Sequence, residues 1–183
     1  MGNMTQPSAV LFEVPEPHIA LVTIAAAQGH ALAGGLELVL SCDLAVVAET
    51  GNFGLPEVKR SLVAGAGGIF RLPRVIPRAI ALEMIATGDP IPAARALHFG
   101  LVNVVVPASE VVASALALGR RVTVNAPIAV RESLGVARQA YDMAEAALWK
   151  ISMAAGNRVW GTEDFKEGPR AFVEKRPPRW AGR

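Results

Sequence analysis

Apolar residues in this chain come in short runs, separated by glycine, proline and charge. "AVLFEV" and "HIALVTI" flank "PEP", a pattern that predicts two strands joined by a turn. "GHALAGGLELVLSC" predicts a short strand or loop that enters a helix at Gly34 and Gly35. "DLAVVAE" is a further strand, β-branched, apolar and bounded by charges. "TGNFGLPEVKRSLVAGAGG" is punctuated by glycines and reads as a long loop, and loops of that length inside a domain usually serve function. "IFRLPRVI" and "PRAIALEMIATG" read as helices, the second with Pro77 near its start and Gly88 just past its end. "PAARALHFG" is a shorter helix closed by Gly100, and "LVNVVVP" is a strand. "SEVVASALALGRRVTVNA" has apolar residues at helical spacing, with Ser109 placed as its N-cap. Pro127 opens a long helix to about Lys150, and a basic tail follows. The predicted class is α/β in the front and middle and all-helical at the back, with the boundary between residues 107 and 108.

Composition narrows the function classes. With 183 residues, 52% of them hydrophobic and 19% charged, the chain can bury a core and is not disordered. A net charge of +2 argues against a general nucleic-acid binder. The single cysteine, Cys42, excludes an intramolecular disulfide and a cysteine metal cluster. No His/Asp/Cys group has ligand spacing, so no metal is expected. "LVAGAGGIF" is not the dinucleotide fingerprint, and no flavin or nicotinamide cofactor is expected either. The run Ile19–Ala27 is too short to span a bilayer, and Glu37 and Asp43 break the stretch from Ala31 to Ala48. The N-terminus lacks the charged-then-apolar pattern of a signal peptide, and "MGNMTQ" has Gln6 where myristoylation needs Ser or Thr. The expectation is a cytoplasmic protein with no membrane partner.

The chemistry concentrates on two carboxylates. The helix that begins at Gly34 exposes amides without intrahelical partners at its positive end, and glycine there lets a ligand approach the backbone. Such an end can hold an oxyanion. Glu37 follows about one turn later, and Glu57 stands after Pro56 in "FGLPEVKRS". Two carboxyls converging on one small site can divide acid and base roles between them. Taken from spacing alone, other readings stay open. Glu37 suits a solvent-facing or capping glutamate, Glu57 an exposed loop acid, and the glycines close helix packing.

"GHALAGGLELVLSCDLAVVAETGNFGLPEVKRSLVAGAGGIFRLPR", "ALEMIATGDPIPAARALHFGLVNVVVP" and the closing "EDFKEGPRAFVEKRPPRWAGR" together resemble the crotonase superfamily, the enoyl-CoA hydratase/isomerase group. The resemblance covers nearly everything from Gly29 to Arg183. It implies a spiral of ββα turns over residues 1–107, incomplete here, and a helical trimerisation region with a basic tail over 108–183. It also implies an acyl-CoA thioester as substrate, so that CoA arrives with the substrate rather than as a cofactor, and a homotrimer or a hexamer built from two trimers. Gly34 matches the residue whose N–H forms half of an oxyanion hole. Glu37 and Glu57 match the two glutamates that add water to a trans-2-enoyl-CoA, Glu37 at C3 and Glu57 at C2. Gly65 matches a glycine beside the site, and Phe172 and Lys175 match positions that help hold the CoA end. "GHALAGG" and "PEVKRSLVA" further resemble carnitinyl-CoA dehydratases, which admits a branched or polar hydroxyacyl group. His30, His18 and His98 receive no role.

One departure stands out. The chain passes from Ile24 through "AAAQ" directly to Gly29, where the family has several more ββα elements and a loop that supplies the second oxyanion N–H. A true deletion, residues present in the protein but absent from this sequence, and a second polypeptide would each produce that gap. Losing one such donor costs about 100- to 1000-fold in rate. The gap keeps alive a second expectation, a crotonase-like protein that binds acyl-CoA or oligomerises without turnover. A third, a plain α/β domain with structural glycines, requires the motif match to be accidental.

Overall fold

The structure is a computed structural model that describes residues 22–183. The predicted strand "AVLFEV", the "PEP" turn and the first residues of "HIALVTI" lie outside them. The chain divides into two compact units, whose described parts are residues 22–118 and 119–183.

In the first unit, β1 (Ile24–Ala27) begins at the last residue of the predicted strand. Thr23, just before it, accepts at its carbonyl from Asp43 N and Leu44 N, each at 3.1 Å. Its amide donates to Asp43 Oδ2 at 2.8 Å, and Asp43 N also donates to Thr23 Oγ1 at 3.0 Å. Among the described residues the strands form two three-stranded sheets. One has the order β1–β3–β6, with β3 at Leu44–Ala48 and β6 at Val104–Val106, all parallel. The other joins β2 (Ala31–Leu32), β4 (Asn52–Gly54) and β5 (Ile91–Pro92), with β2 parallel and β5 antiparallel to β4. Parallel pairing needs crossovers, and α1 (Gly34–Ser41) lies in the connection between β1 and β3.

The predicted long loop is therefore partly structured. It contains β4 and a 3-10 helix over Pro56–Arg60. A three-residue strand has no readable alternation, and β4 is specified by its partners Ala31 and Ile91 on either side of Phe53. The helices α2 (Gly68–Val75), α3 (Arg78–Thr87) and α4 (Ala93–His98) fall where periodicity puts them. Gly88 closes α3 in the left-handed conformation (φ 66°), as its position past the helix end predicts. The core of this unit is built from Leu36, Val47, Phe53, Leu55, Leu72 and Met84.

The helix α5 (Val111–Thr123) starts two residues after Ser109, which is not its N-cap. Pro107 presets the backbone for a 3-10 turn over Ala108–Glu110, closed by Glu110 N donating to Pro107 O at 2.8 Å. The second unit also corrects the long helix predicted from Pro127. It is two helices, α6 (Pro127–Ala137) and α7 (Glu145–Trp160), packed against each other. Gln139, Ala140 and Asp142 each donate to the carbonyl three residues back, which winds the chain out of the α-helix without any glycine or proline. The helix α8 (Glu163–Val173) is capped by Thr162, whose Oγ1 accepts from Phe165 N. The basic tail folds back on it. Ala181 N and Gly182 N donate to the buried Asp164 carboxylate, and Trp180 Nε1 donates to Val124 O. Arg176 and the Arg179 amide hold the Glu167 carboxyl pKa down to about 2.

Glu132 joins α6 to α7. Its Oε1 accepts from Arg131, and its Oε2 accepts from Arg158 Nε at 2.7 Å. The Arg158 hydrogen bond is the first cause of a carboxyl pKa below its ordinary value. A group whose folded pKa is lowered stabilises fully above its unfolded value, and that stability fades as pH falls through the folded one. Glu132→Gln is therefore expected to destabilise the helical unit by about 1–2 kcal/mol at neutral pH, the loss of hydrogen bonds to a charged group whose partner Arg158 is itself half-exposed. Below about pH 4 the gap to wild type should narrow, as urea melts at both pH values will show.

Candidate active site

The two candidate glutamates sit on different elements of the first unit. Glu37 occupies the first turn of α1, among Leu36 and Val39, and is only 5% exposed. A lone carboxylate in such company needs partners. It finds them at the start of α2, where Ala66 N and Gly68 N donate to the same oxygen, Oε1, at 2.7 and 2.9 Å. These two amides leave Oε2 unengaged by the cradle. Glu37 is thus neither solvent-facing nor a cap of its own helix. It is a buried side chain that anchors the N-terminus of a neighbouring one.

The stretch "GAGG" builds that cradle. Gly67 is the N-cap of α2 with φ 103°, a left-handed conformation that favours glycine. A Cβ on Gly68 would approach Glu37 Cγ at 3.0 Å and Leu55 Cδ2 at 2.9 Å. The glycine lets α2 seat its first amides on the carboxylate. Sequence reasoning misses Ala66 and Gly68 as partners of Glu37. The signal is present in "GAGG", whose glycines invite comparison with nucleotide-binding patterns before any thought of a carboxylate.

Glu57 lies on the 3-10 helix, two residues after Leu55 and directly after Pro56. Leu55 is fully buried, and its methyl groups meet the same Gly68 position as Glu37 Cγ. The base of the Glu57 arm and the Glu37 side chain therefore flank one glycine. Glu57 itself is partly exposed, yet its Oε2 is buried with no hydrogen-bond partner, the only such side-chain atom among the described residues. Native proteins rarely leave a buried carboxylate oxygen unpaired, and those that remain ask for a ligand, a water or a catalytic reason.

Gly34 opens α1. Leu36 N and Glu37 N both donate to Ala33 O, so the amides of Gly34 and Gly35 precede the helical ladder. Ala33 reaches that position with φ 53°, strained for a residue with a Cβ. Its own amide donates to Gly54 O at 2.9 Å, tying the Gly34 arm to the strand that leads to Glu57. Gly34 is exposed, and a Cβ there would meet nothing within 4 Å, so packing does not demand this glycine. Gly65 is equally open.

Phe172 and Lys175 belong to the second unit. Phe172, on the last turn of α8, is 86% exposed, and Lys175 donates its amide to Phe172 O with its own φ at 53°. Among the described residues no group of three or more His, Cys, Asp or Glu could hold a metal ion, and no helix is long and apolar enough to cross a membrane.

Comparison with known proteins converges on one family. A family model described as enoyl-CoA hydratase/isomerase matches residues 17–183. Carnitinyl-CoA dehydratases of Salmonella arizonae and Salmonella typhi are each 38% identical over 94% of this chain. An enoyl-CoA hydratase structure from Mycobacterium tuberculosis H37Rv matches 87% of the chain at 45% identity with a TM-score of 0.84. One from Geobacillus kaustophilus matches 89% at 37% identity with a TM-score of 0.85. The chain spans 66% of the length of those dehydratases and 64% and 62% of the two structures. The expected mixed α/β crotonase fold with helices at its C-terminal end is the fold these structures share. With a family model covering all but the first sixteen residues, the chain belongs to the enoyl-CoA hydratase/isomerase family.

Proposed function

We propose that this chain carries the acid–base site of an acyl-CoA hydro-lyase, which reversibly adds water across C2=C3 of a trans-2-enoyl-CoA. The observation that carries the reading is the buried, unpartnered Glu57 Oε2, on an arm that shares the Gly68 neighbourhood with the amide-held Glu37. In this reading Glu37 takes a proton from water as the water oxygen bonds to C3. The C2=C3 electron pair moves toward the thioester oxygen, and the Gly34 N–H stabilises the enolate. The carboxyl of Glu57 then delivers its proton to C2, which restores the thioester C=O. The proton gained by Glu37 returns to Glu57 before the next turnover, and the reverse sequence eliminates water.

The dehydratase relatives support a hydroxyacyl group that is branched or polar. Phe172 and Lys175 are proposed to bind the CoA end. A homotrimer or hexamer is the proposed assembly, acting in the cytoplasm. It is supported by Trp149, Met153 and Trp160, exposed along α7 and spaced to recur on one side of it. The test is direct. Mixing the protein with conjugated enoyl-CoA thioesters of several chain lengths should bleach their ultraviolet absorbance. Tight CoA binding without any bleaching would replace this reading with the non-catalytic one.

A further inference from the structure

Arg71 lies on the first turn of α2, outside every role assigned so far. Its Nη1 donates to Ala66 O at 2.8 Å, and its guanidinium carbon stands 5.5 Å from the centre of the Phe70 ring. The same Ala66 residue donates its N–H to Glu37 Oε1. Ala66 is therefore gripped from both ends, by the carboxylate through its amide and by the guanidinium through its carbonyl. The guanidinium also closes over Gly67: a Cβ there would lie 2.6 Å from Arg71 Nη1. The left-handed turn at Gly67 and the absence of a side chain make room for this grip.

We propose that Arg71 is a positioning residue for the reaction. It fixes the Ala66–Gly68 amides, and these fix the carboxylate of Glu37. The inference rests on Glu37 being catalytic. A guanidinium suits the task because it hydrogen-bonds in its plane while its charge stands over an aromatic ring. A carboxylate held by amides stays in productive geometry only as long as those amides do, and a misplacement near 1 Å costs about 100-fold in rate.

The test uses the full chain and two readouts. Arg71→Met keeps the aliphatic stem and removes the donor. It should speed hydrogen exchange at the Ala66 and Gly68 amides at least about 10-fold while α3 stays protected. In turnover it should lower kcat about 10- to 100-fold with KM nearly unchanged. Made in a Glu37→Gln background, the same change should cost less than about 2-fold, because a residue acting through Glu37 has nothing left to position. Unchanged exchange at Ala66 and Gly68 overturns the proposal, and so does a full additive loss in the Glu37→Gln background. If the wild-type protein turns over no enoyl-CoA, the hydro-lyase reading fails, while the exchange result still decides whether Arg71 holds the cradle.

Discussion

Glu57→Gln is expected to cut enoyl-CoA hydration by about 100- to 10,000-fold while the protein stays folded. The amide retains the shape of the side chain but is far too weak an acid to deliver a proton to C2. Stability gives the second half of the expectation. The wild-type folded state buries Glu57 Oε2 without a partner, which is unfavourable in the absence of ligand. Glu57→Met, apolar and of similar length, should therefore abolish turnover while stabilising the fold by about 1–2 kcal/mol, read as a higher denaturation midpoint. Glu37→Gln should lose activity by a similar factor yet shift stability the other way. The side-chain amide it introduces can accept from Ala66 N and Gly68 N only as a neutral group, and neutral acceptors bond more weakly than a carboxylate. Two glutamates with equal effects on rate and opposite effects on stability would identify Glu37 as a side chain the fold has satisfied and Glu57 as one it has left for substrate. Full activity in both variants would remove them from the mechanism.

Phe53→Ala should produce the largest loss of stability, about 3–5 kcal/mol in urea denaturation. Phe53 is completely buried at the centre of β4, between Ala31 on β2 and Ile91 on β5. A Cβ on Gly51 would come within 3.2 Å of its ring, so the ring fills its space tightly and truncation leaves a cavity. That loss is a large fraction of the roughly 5–15 kcal/mol that stabilises a typical domain. It also reaches the site, because β4 continues through Leu55 and Pro56 to Glu57 and its Gly54 carbonyl anchors Ala33. A Phe53→Leu variant should recover much of the stability. If Phe53→Ala melted like wild type, β4 would not be the support of the Glu57 arm.

Much of this is legible in the order of residues. The helices after Gly34, Gly68 and Arg78 and the strand at Leu44 announce themselves because period and end signals are local properties: apolar spacing, a proline before a start, a glycine past an end. The motif string that carries Gly34, Glu37 and Glu57 identifies the family for the same reason, since it is contiguous and ordered. Other features have no local signature. The three residues of β4 become a strand only because β2 and β5 lie on either side of them. The break between α6 and α7 contains no breaker residue, and the two helices are held together by Glu132 accepting from Arg158 across 26 positions. The environment of Glu37 is the clearest case. Residue order alone dictates that a carboxylate sits one turn into a glycine-led apolar helix. That its partners are amides 29 and 31 residues away follows from the packed fold and from nothing local, because a buried charge is tolerated solely where tertiary contacts bring donors to it.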